Sequence, residues 1–299
     1  MPDSQDNMTP NFGGSQLKPE YTAFKKARIV VLQCPYEETA SYKKGTVRGP
    51  EAVIKASEYM EVYDEELKQE TYKAGIHTMP PLALGGLAPE QMVRKVAQEV
   101  RGIITEQKIP VIIGGEHSVS IGAVQAAGKF FKDLSVLHLD AHHDLRDEYE
   151  GSKFNHACAA RRFLETAPVT QAVTRSLSKE EQDFIGTRPE GLKIFSAYDI
   201  IETAIWKENV AASLTDNVYV SLDMDAMDPS VMPSVGTPEP GGIGWYELLD
   251  LLKIVAKTKK IIGFDVVELM PIDGFVAPDF LTAKLIYRLM GYILQGKSD

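Results

Sequence analysis

SVLHLDAHHDLRDEYEG, residues 135–151, begins as an apolar run and ends as a cluster of ligand-type side chains. Residues 136–139 read as a strand, and Asp140, His142, His143 and Asp144 follow at once, then Arg146, Asp147 and Glu148. A short apolar run without polar alternation is the pattern of a parallel strand covered on both faces. Ligands of such sheets bind beyond the carboxyl ends of the strands. The stretch therefore predicts both a doubly wound sheet and the place on it where chemistry would sit.

The pattern recurs three times. "VIIGGEHS" ends in Glu116 and His117, "VYVSLDMDAMDP" in Asp223, Asp225 and Asp228, and "IIGFDVVELMP" reaches Asp265 and Glu268. Strands are expected at 28–33, 110–113, 136–139, 192–195, 218–222 and 261–267, alternating with helical patterns at 89–108, 245–257 and 279–295. Gly49-Pro50 reads as a further helix entrance. With no composition break, the expectation is one three-layer α/β/α domain over 23–299 with a central, mostly parallel sheet. Residues 1–22 are polar, carry Pro and Gly, and read as a flexible arm; they have neither the basic nor the apolar part of a signal peptide.

The chain is 44% hydrophobic and 25% charged, which is globular composition. Cys34 and Cys158 make no disulfide framework and no zinc-type spacing, so a reducing, cytoplasmic setting is expected. The net charge of −10 disfavours nucleic acid and anionic membranes as partners. No run approaches the roughly 18 apolar residues of a membrane span.

In an extended chain residues i and i+2 share a face, which pairs Asp140 with His142 and Asp223 with Asp225. Carboxylates converging at one sheet edge repel unless protonated or neutralised by cations. Oxygen donors with a minority of imidazoles suit a hard divalent ion such as manganese. The candidate ligands are His117, Asp140, His142, Asp144, Asp223 and Asp225, enough for two bridged metals. Singly these signals are bland, because an Asp pair after a strand is common. Asp228-Pro229 reads as a turn, His138 as a hydrogen-bonded core or supporting group, and His143 as a rim residue. His77 receives no role. The joint pattern carries the weight: five of the six histidines fall between 117 and 156, alongside the carboxylates.

"GGEHS", "DAHHD" and "SLDMDAMDP" resemble, in order, the three signature motifs of the arginase/agmatinase (ureohydrolase) family. The resemblance extends to "GTVRGPEAVIKAS" (45–57), "GTPEPGGIGWYE" (236–247) and "GFDVVELMP" (263–271). It implies an arginase/deacetylase-like fold holding two Mn2+ per subunit. His117, Asp140, Asp144 and Asp223 would hold one ion, and Asp140, His142, Asp223 and Asp225 the other, with Asp140 and Asp223 bridging. It further implies hydrolysis of a guanidinium to urea and an amine. Asp144 would take a proton from the attacking water, His156 would shuttle one to the leaving amine, and Glu268 would pair with the guanidinium. A homo-oligomer, trimer or hexamer, is implied as well.

Arginine-hydrolysing relatives carry an Asn two residues after the last Asp of the second motif, and Arg146 stands there. "LRDEYEG…HACxxRR" resembles the agmatinase branch instead. The expected substrate is therefore agmatine, giving putrescine within polyamine biosynthesis, with Arg146, Asp147, Glu148 and Asn155 toward the substrate tail. N1-aminopropylagmatine is an alternative, and so is 4-guanidinobutanoate, whose carboxylate Arg146, Arg161 and Arg162 would bind. Asn155 and Ala157 depart from the Ser and Gly common in that branch, which leaves the tail open. The rivals are a single-zinc deacetylase-like hydrolase and a non-catalytic scaffold. A nucleophilic Cys158–His156 pair is set aside, since the metal site would supply its own nucleophile.

Overall fold

Eight strands pair only in parallel, in the order β2-β1-β3-β8-β7-β4-β5-β6. They are β1 (Ile29–Cys34), β2 (Ile76–Thr78), β3 (Ile109–Gly114), β4 (Leu134–Leu139), β5 (Val169–Ala172), β6 (Leu192–Phe195), β7 (Asn217–Asp223) and β8 (Lys260–Val267). The structure is a computed structural model that describes residues 10–296. Its helices are α1 (Pro19–Thr22), α2 (Gly49–Ser57), α3 (Pro89–Thr105), α4 (Val119–Ala127), α5 (Ala159–Leu164), α6 (Lys179–Gly186), α7 (Ala197–Glu202), α8 (Trp206–Ser213), α9 (Trp245–Thr258) and α10 (Ala277–Gln295). Among the described residues no helix is long and apolar enough to cross a membrane.

The strand period of two splits each apolar run between two cores. Ile29 and Val31, Val111 and Ile113, Leu137 and Leu139, and Val218, Val220 and Leu222 face a core closed by α2, α8, α9 and α10. Val30, Leu32, Ile112, Val136 and Tyr219 face the other, closed by α3, α4 and α5. The expected three-layer α/β/α domain is thus present, and its sheet is parallel throughout. In α3 the buried stripe Met92, Val93, Val96, Val100, Ile103 and Ile104 recurs at helical spacing. That helix starts at Pro89, where a missing N–H costs nothing.

Six strands lie within one or two residues of their expected bounds, while β2 and β5 carried no legible signal. β2 has only three residues, and β5 reads VTQA, half of it polar. The arm expected to be flexible differs in part. Residues 1–9 lie outside the described residues, but from Asn11 the chain is seated on β2. The Phe12 N–H donates to Thr78 Oγ1 at 2.8 Å, the Thr78 N–H to Asn11 Oδ1 at 3.0 Å, and the Gly13 N–H to Ser57 Oγ at 2.9 Å. His77 Nδ1 lies 2.8 Å from the Thr22 carbonyl oxygen. The physical reason is that β2 is an edge strand with unpaired backbone groups, and Phe12 supplies a fully buried ring to cover it.

The strand order also places β3, β8, β7 and β4 side by side. These are the four strands whose sequences end in polar clusters. The turn after β3 leaves room for nothing but glycine: a Cβ on Gly115 would stand 2.1 Å from the Tyr36 carbonyl oxygen.

Phe12→Ala is expected to lower stability by about 3 kcal/mol, the low end for a buried phenylalanine because this segment can detach. Urea denaturation measures it, and an unchanged midpoint would show that the segment contributes no packing.

Candidate metal centre

Three aspartates of the cluster, Asp140, Asp223 and Asp225, use one oxygen to fix themselves and turn the other inward. Asp140 Oδ1 accepts the His142 N–H at 2.6 Å, and Asp223 Oδ1 accepts the Asp225 N–H at 2.8 Å. This side-chain bond to the backbone two residues on is why the DxH and DxD spacings recur at the strand ends. Asp225 Oδ1 accepts the Ala141 N–H at 2.9 Å and so ties the loop after β7 to the loop after β4. The second oxygens converge. Asp140 Oδ2, Asp144 Oδ2 and Asp223 Oδ2 lie 3.0, 3.3 and 3.3 Å from His117 Nδ1. Asp225 Oδ2 lies 2.9 Å from His142 Nδ1, and Asp140 Oδ1 lies 3.5 Å from it.

His117 is oriented from behind. Its Nε2 donates to Ser221 Oγ at 3.0 Å, because the Ser221 hydroxyl proton goes to Asp265 Oδ1 at 2.8 Å. A neutral imidazole whose Nε2 carries the hydrogen has a bare Nδ1. That Nδ1 and Asp140 Oδ2 are both buried without an aligned hydrogen bond, although they are 3.0 Å apart. Lone pairs facing each other in a dry site require a positive charge between them. Burial resists charging His117, yet the three carboxylates pull its pKa well above the ordinary value. Burial and the neighbouring Asp225 and Asp140 carboxylates hold Asp223 well above the usual range. Burial and Asp140 push Asp144 up to about 7. His117, Asp140 and Asp144, together with His138, form one group of donors with metal spacing, and Asp140, His142 and Asp225 form a second that shares Asp140. The residues present fit a pair of cations.

His138 lies 3.1 Å from Asp140 Oδ2 but is not aligned to bond it. Gln171 supports it: its amide donates to the His143 carbonyl at 2.7 Å and reaches His138 Nδ1 at 3.1 Å, while its Oε1 lies 2.7 Å from His143 Nδ1. The amide orientation is set by that carbonyl, so Nδ1 of His138 is the acceptor and Nε2 carries the hydrogen. A protonated ring nitrogen is no metal ligand, which leaves His138 a supporting group. His143 differs from its expected place on the rim: it is buried, drawn in by Gln171.

The six candidate ligands line one cavity of about 280 Å3, together with Arg146, His156 and Glu268. Asp144, Val173 and Glu268, at the ends of β4, β5 and β8, have φ of 50°, 68° and 63°. These left-handed conformations are costly for side-chain-bearing residues, and two of the three, Asp144 and Glu268, line the cavity. At Glu268 the turn sends the carboxylate inward, where Oε1 accepts the His117 N–H at 2.7 Å. His156 is set by Asn155, whose Oδ1 accepts the Ala157 N–H at 3.0 Å, and its Nδ1 lies 3.2 Å from Thr39 Oγ1. Burial, then the nearby His117, lowers its pKa to about 4.

Arg146 stacks over the Tyr149 ring at 4.7 Å on the cavity wall. The other residues expected at the substrate tail lie elsewhere. Asp147 is held by Arg162 at 2.7 Å and Lys153 at 3.5 Å, outside the cavity lining. Glu148 is exposed, and Asn155 is buried beneath the turn that it caps. Arg162 is buried, and Arg161 stacks on Phe184 at 3.5 Å, so neither reaches the lining. Burial holds the Cys158 thiol up at about 12, far from a nucleophile. Sequence reasoning missed Gln171, whose only signal is a polar residue inside a strand, and Thr39, which had none.

Comparison with known proteins identifies the family. The model of the arginase family matches residues 27–292. The N(1)-aminopropylagmatine ureohydrolase of Synechocystis sp. is 42% identical, covering 91% of this chain and 90% of the relative. The agmatinase of Pyrococcus horikoshii is 32% identical over 89% and 92%. The crystal structure of agmatine ureohydrolase of Thermoplasma volcanium superposes with a TM-score of 0.82 at 30% identity, covering 92% of each chain.

Ser221→Ala is expected to weaken divalent-metal affinity about 10- to 100-fold by freeing the His117 ring; metal titration calorimetry reads it, and an unchanged affinity contradicts the orienting role. Without metal, the raised pKa values of Asp144, His117 and His142 keep protons in the cage. Metal must displace them, so apparent affinity should rise as pH climbs through about 7. Heats of binding should then vary with the ionisation enthalpy of the buffer, and buffer-independent heats would contradict the proton release.

Proposed function

The chain belongs to the arginase family and is a ureohydrolase of that family, and from this footing we propose that it cleaves N1-aminopropylagmatine to urea and a polyamine. Agmatine, the expectation from sequence, is the second reading. The Synechocystis relative carries the longer guanidine in its name at higher identity than the Pyrococcus agmatinase. The observation that carries the reaction class is the pair of inward atoms Asp140 Oδ2 and the bare His117 Nδ1, buried 3.0 Å apart without hydrogen-bond partners. Arg161 and Arg162 lie away from the cavity, which leaves Arg146 as the one of the three arginines in reach of a carboxylate-tailed guanidine.

We assign one divalent ion to His117, Asp140, Asp144 and Asp223, and a second to Asp140, His142, Asp223 and Asp225. Manganese is the choice by donor chemistry. Two donor groups that share Asp140 speak against a single-zinc site. When bound, such a pair supplies Lewis acidity and an acidified water.

The protein's own groups do the rest. Glu268 Oε1 holds the His117 N–H and Oε2 has no hydrogen-bond partner among the described residues, so a guanidinium entering the cavity meets a fixed carboxylate. Asp144 is the first acceptor for a proton of the attacking water. Burial lowers the pKa of His156 to about 4, so the ring stands neutral at pH 7 and readily gives up a proton that it receives from the reacting water. The C–N bond breaks as the leaving nitrogen receives that proton, and the water oxygen remains in urea. Arg146 and Tyr149 line the cavity and would bound the substrate tail. The catalytic domain is taken as 23–299.

Steady-state urea release by the manganese-loaded protein should give the highest kcat/KM with N1-aminopropylagmatine, a lower value with agmatine, and the lowest with arginine and 4-guanidinobutanoate. Asp140→Ala should abolish it. Absence of urea with every guanidine in the series contradicts the function, and preference for arginine contradicts the substrate.

A further inference from the structure

Glu116 is fully buried beside the site and has no part in the reaction above. Its two oxygens are spent on Thr39: Oε2 accepts the Thr39 N–H at 2.7 Å, and Oε1 accepts the Thr39 hydroxyl at 2.6 Å. The Ser118 hydroxyl donates to Oε1 as well. The only proton on Thr39 Oγ1 is therefore committed to Glu116. A hydroxyl oxygen has one proton to give and two lone pairs to accept with. Two groups of His156 meet those lone pairs: the backbone N–H at 3.1 Å and the ring Nδ1 at 3.2 Å. With its proton already given away, Oγ1 can only accept from Nδ1, so Nδ1 carries the hydrogen. Neutral imidazole has a single N–H, which leaves Nε2 as the bare nitrogen. Nε2 has no protein hydrogen-bond partner among the described residues, and the ring lines the cavity.

We propose that Thr39, locked by Glu116, is a positioning residue that fixes His156 in its Nδ1–H tautomer and so makes Nε2 the atom that exchanges protons with substrate and water. This inference rests on His156 being the proton carrier of the proposed reaction. Three loops meet in the arrangement. Thr39 follows β1, Glu116 follows β3 and His156 lies in the long connection after β4. One hydroxyl thus does for His156 what Ser221 does for His117: it receives the hydrogen of one ring nitrogen so that the other faces the reaction. In the absence of that hydroxyl nothing selects between the two tautomers, and the ring can turn its N–H into the cavity, where it cannot accept a proton.

A merely structural role for Thr39 would affect folding and metal loading, while the proposed role affects the tautomer. The full chain is therefore prepared with 15N-labelled histidine, metal-free, as wild type, Thr39→Val and Thr39→Ser. The His156 signals are identified by their absence from His156→Gln. The wild type and Thr39→Ser should show Nδ1 protonated and Nε2 bare, and Thr39→Val should show mixed or reversed tautomers. With manganese loaded to an equal content, kcat for Thr39→Val should fall about 10- to 100-fold, the size of effect when the partner orienting a functional histidine is lost. KM should stay within about twofold, and Thr39→Ser should retain most of the activity. A wild-type His156 with its hydrogen on Nε2 overturns the proposal, and so does a Thr39→Val protein with unchanged tautomer or unchanged kcat. Should Thr39→Val fail to fold, the wild-type and Thr39→Ser spectra decide alone. Absence of urea from every guanidine would sink the catalytic half through the functional reading, while the spectrum still decides the tautomer.

Discussion

Four aspartates cannot share one buried spot without compensating positive charge. Asp140, Asp144, Asp223 and Asp225 are all buried, and their inward oxygens crowd around His117 Nδ1 and His142 Nδ1. Protons can relieve the repulsion only in part, since Asp140 stays ionised: burial opposes its charge, but His117, His138 and His142 together hold its pKa well below the usual value. The fold bears this frustration because Asp140, Asp223 and Asp225 are each anchored by a backbone N–H through the other oxygen. The anchoring bonds are local, two residues apart at Asp140 and Asp223, so the cage is pre-shaped before any ligand arrives.

Topology makes the cage possible. Only a strand order in which β3, β8, β7 and β4 are neighbours brings residues from 116 to 268 to one edge, and the parallel sheet sends all four carboxyl ends the same way. Behind the cage lies a shell of buried polar groups, Ser221 with Asp265, Gln171 with His138 and His143, and Glu116 with Thr39. Each member settles which nitrogen of a histidine carries a hydrogen. Such networks specify a single geometry when every member is satisfied.

Much of this was legible in the sequence, for a physical reason. Residues that hold cations are polar, they interrupt apolar strands, and their i, i+2 spacing is imposed by the turn that anchors them; hence "DAHHD" and "SLDMD" stand out. The sheet was legible because strands covered on both faces are apolar at most positions. What remained hidden depends on distance along the chain. Thr39 meets His156 across 117 residues, and nothing near Thr39 announces it. β5 was hidden because its polar Gln171 points into the histidine network and reads like a loop residue. Asp147 misled for the opposite reason: an acidic residue beside the motif suggested a cationic ligand, but Arg162 and Lys153 had already claimed it. Charge in a sequence says nothing of which partner is nearer in space.

The central claim is that the strand-end cage holds two cations, with Asp140 and Asp223 between them. Crystals of the full chain grown with manganese, measured on both sides of the manganese absorption edge, test it most directly. The account predicts two anomalous peaks per chain, one beside His117 and one beside His142, sharing Asp140 and Asp223. A single peak, or none within reach of these side chains at saturating manganese, would contradict it.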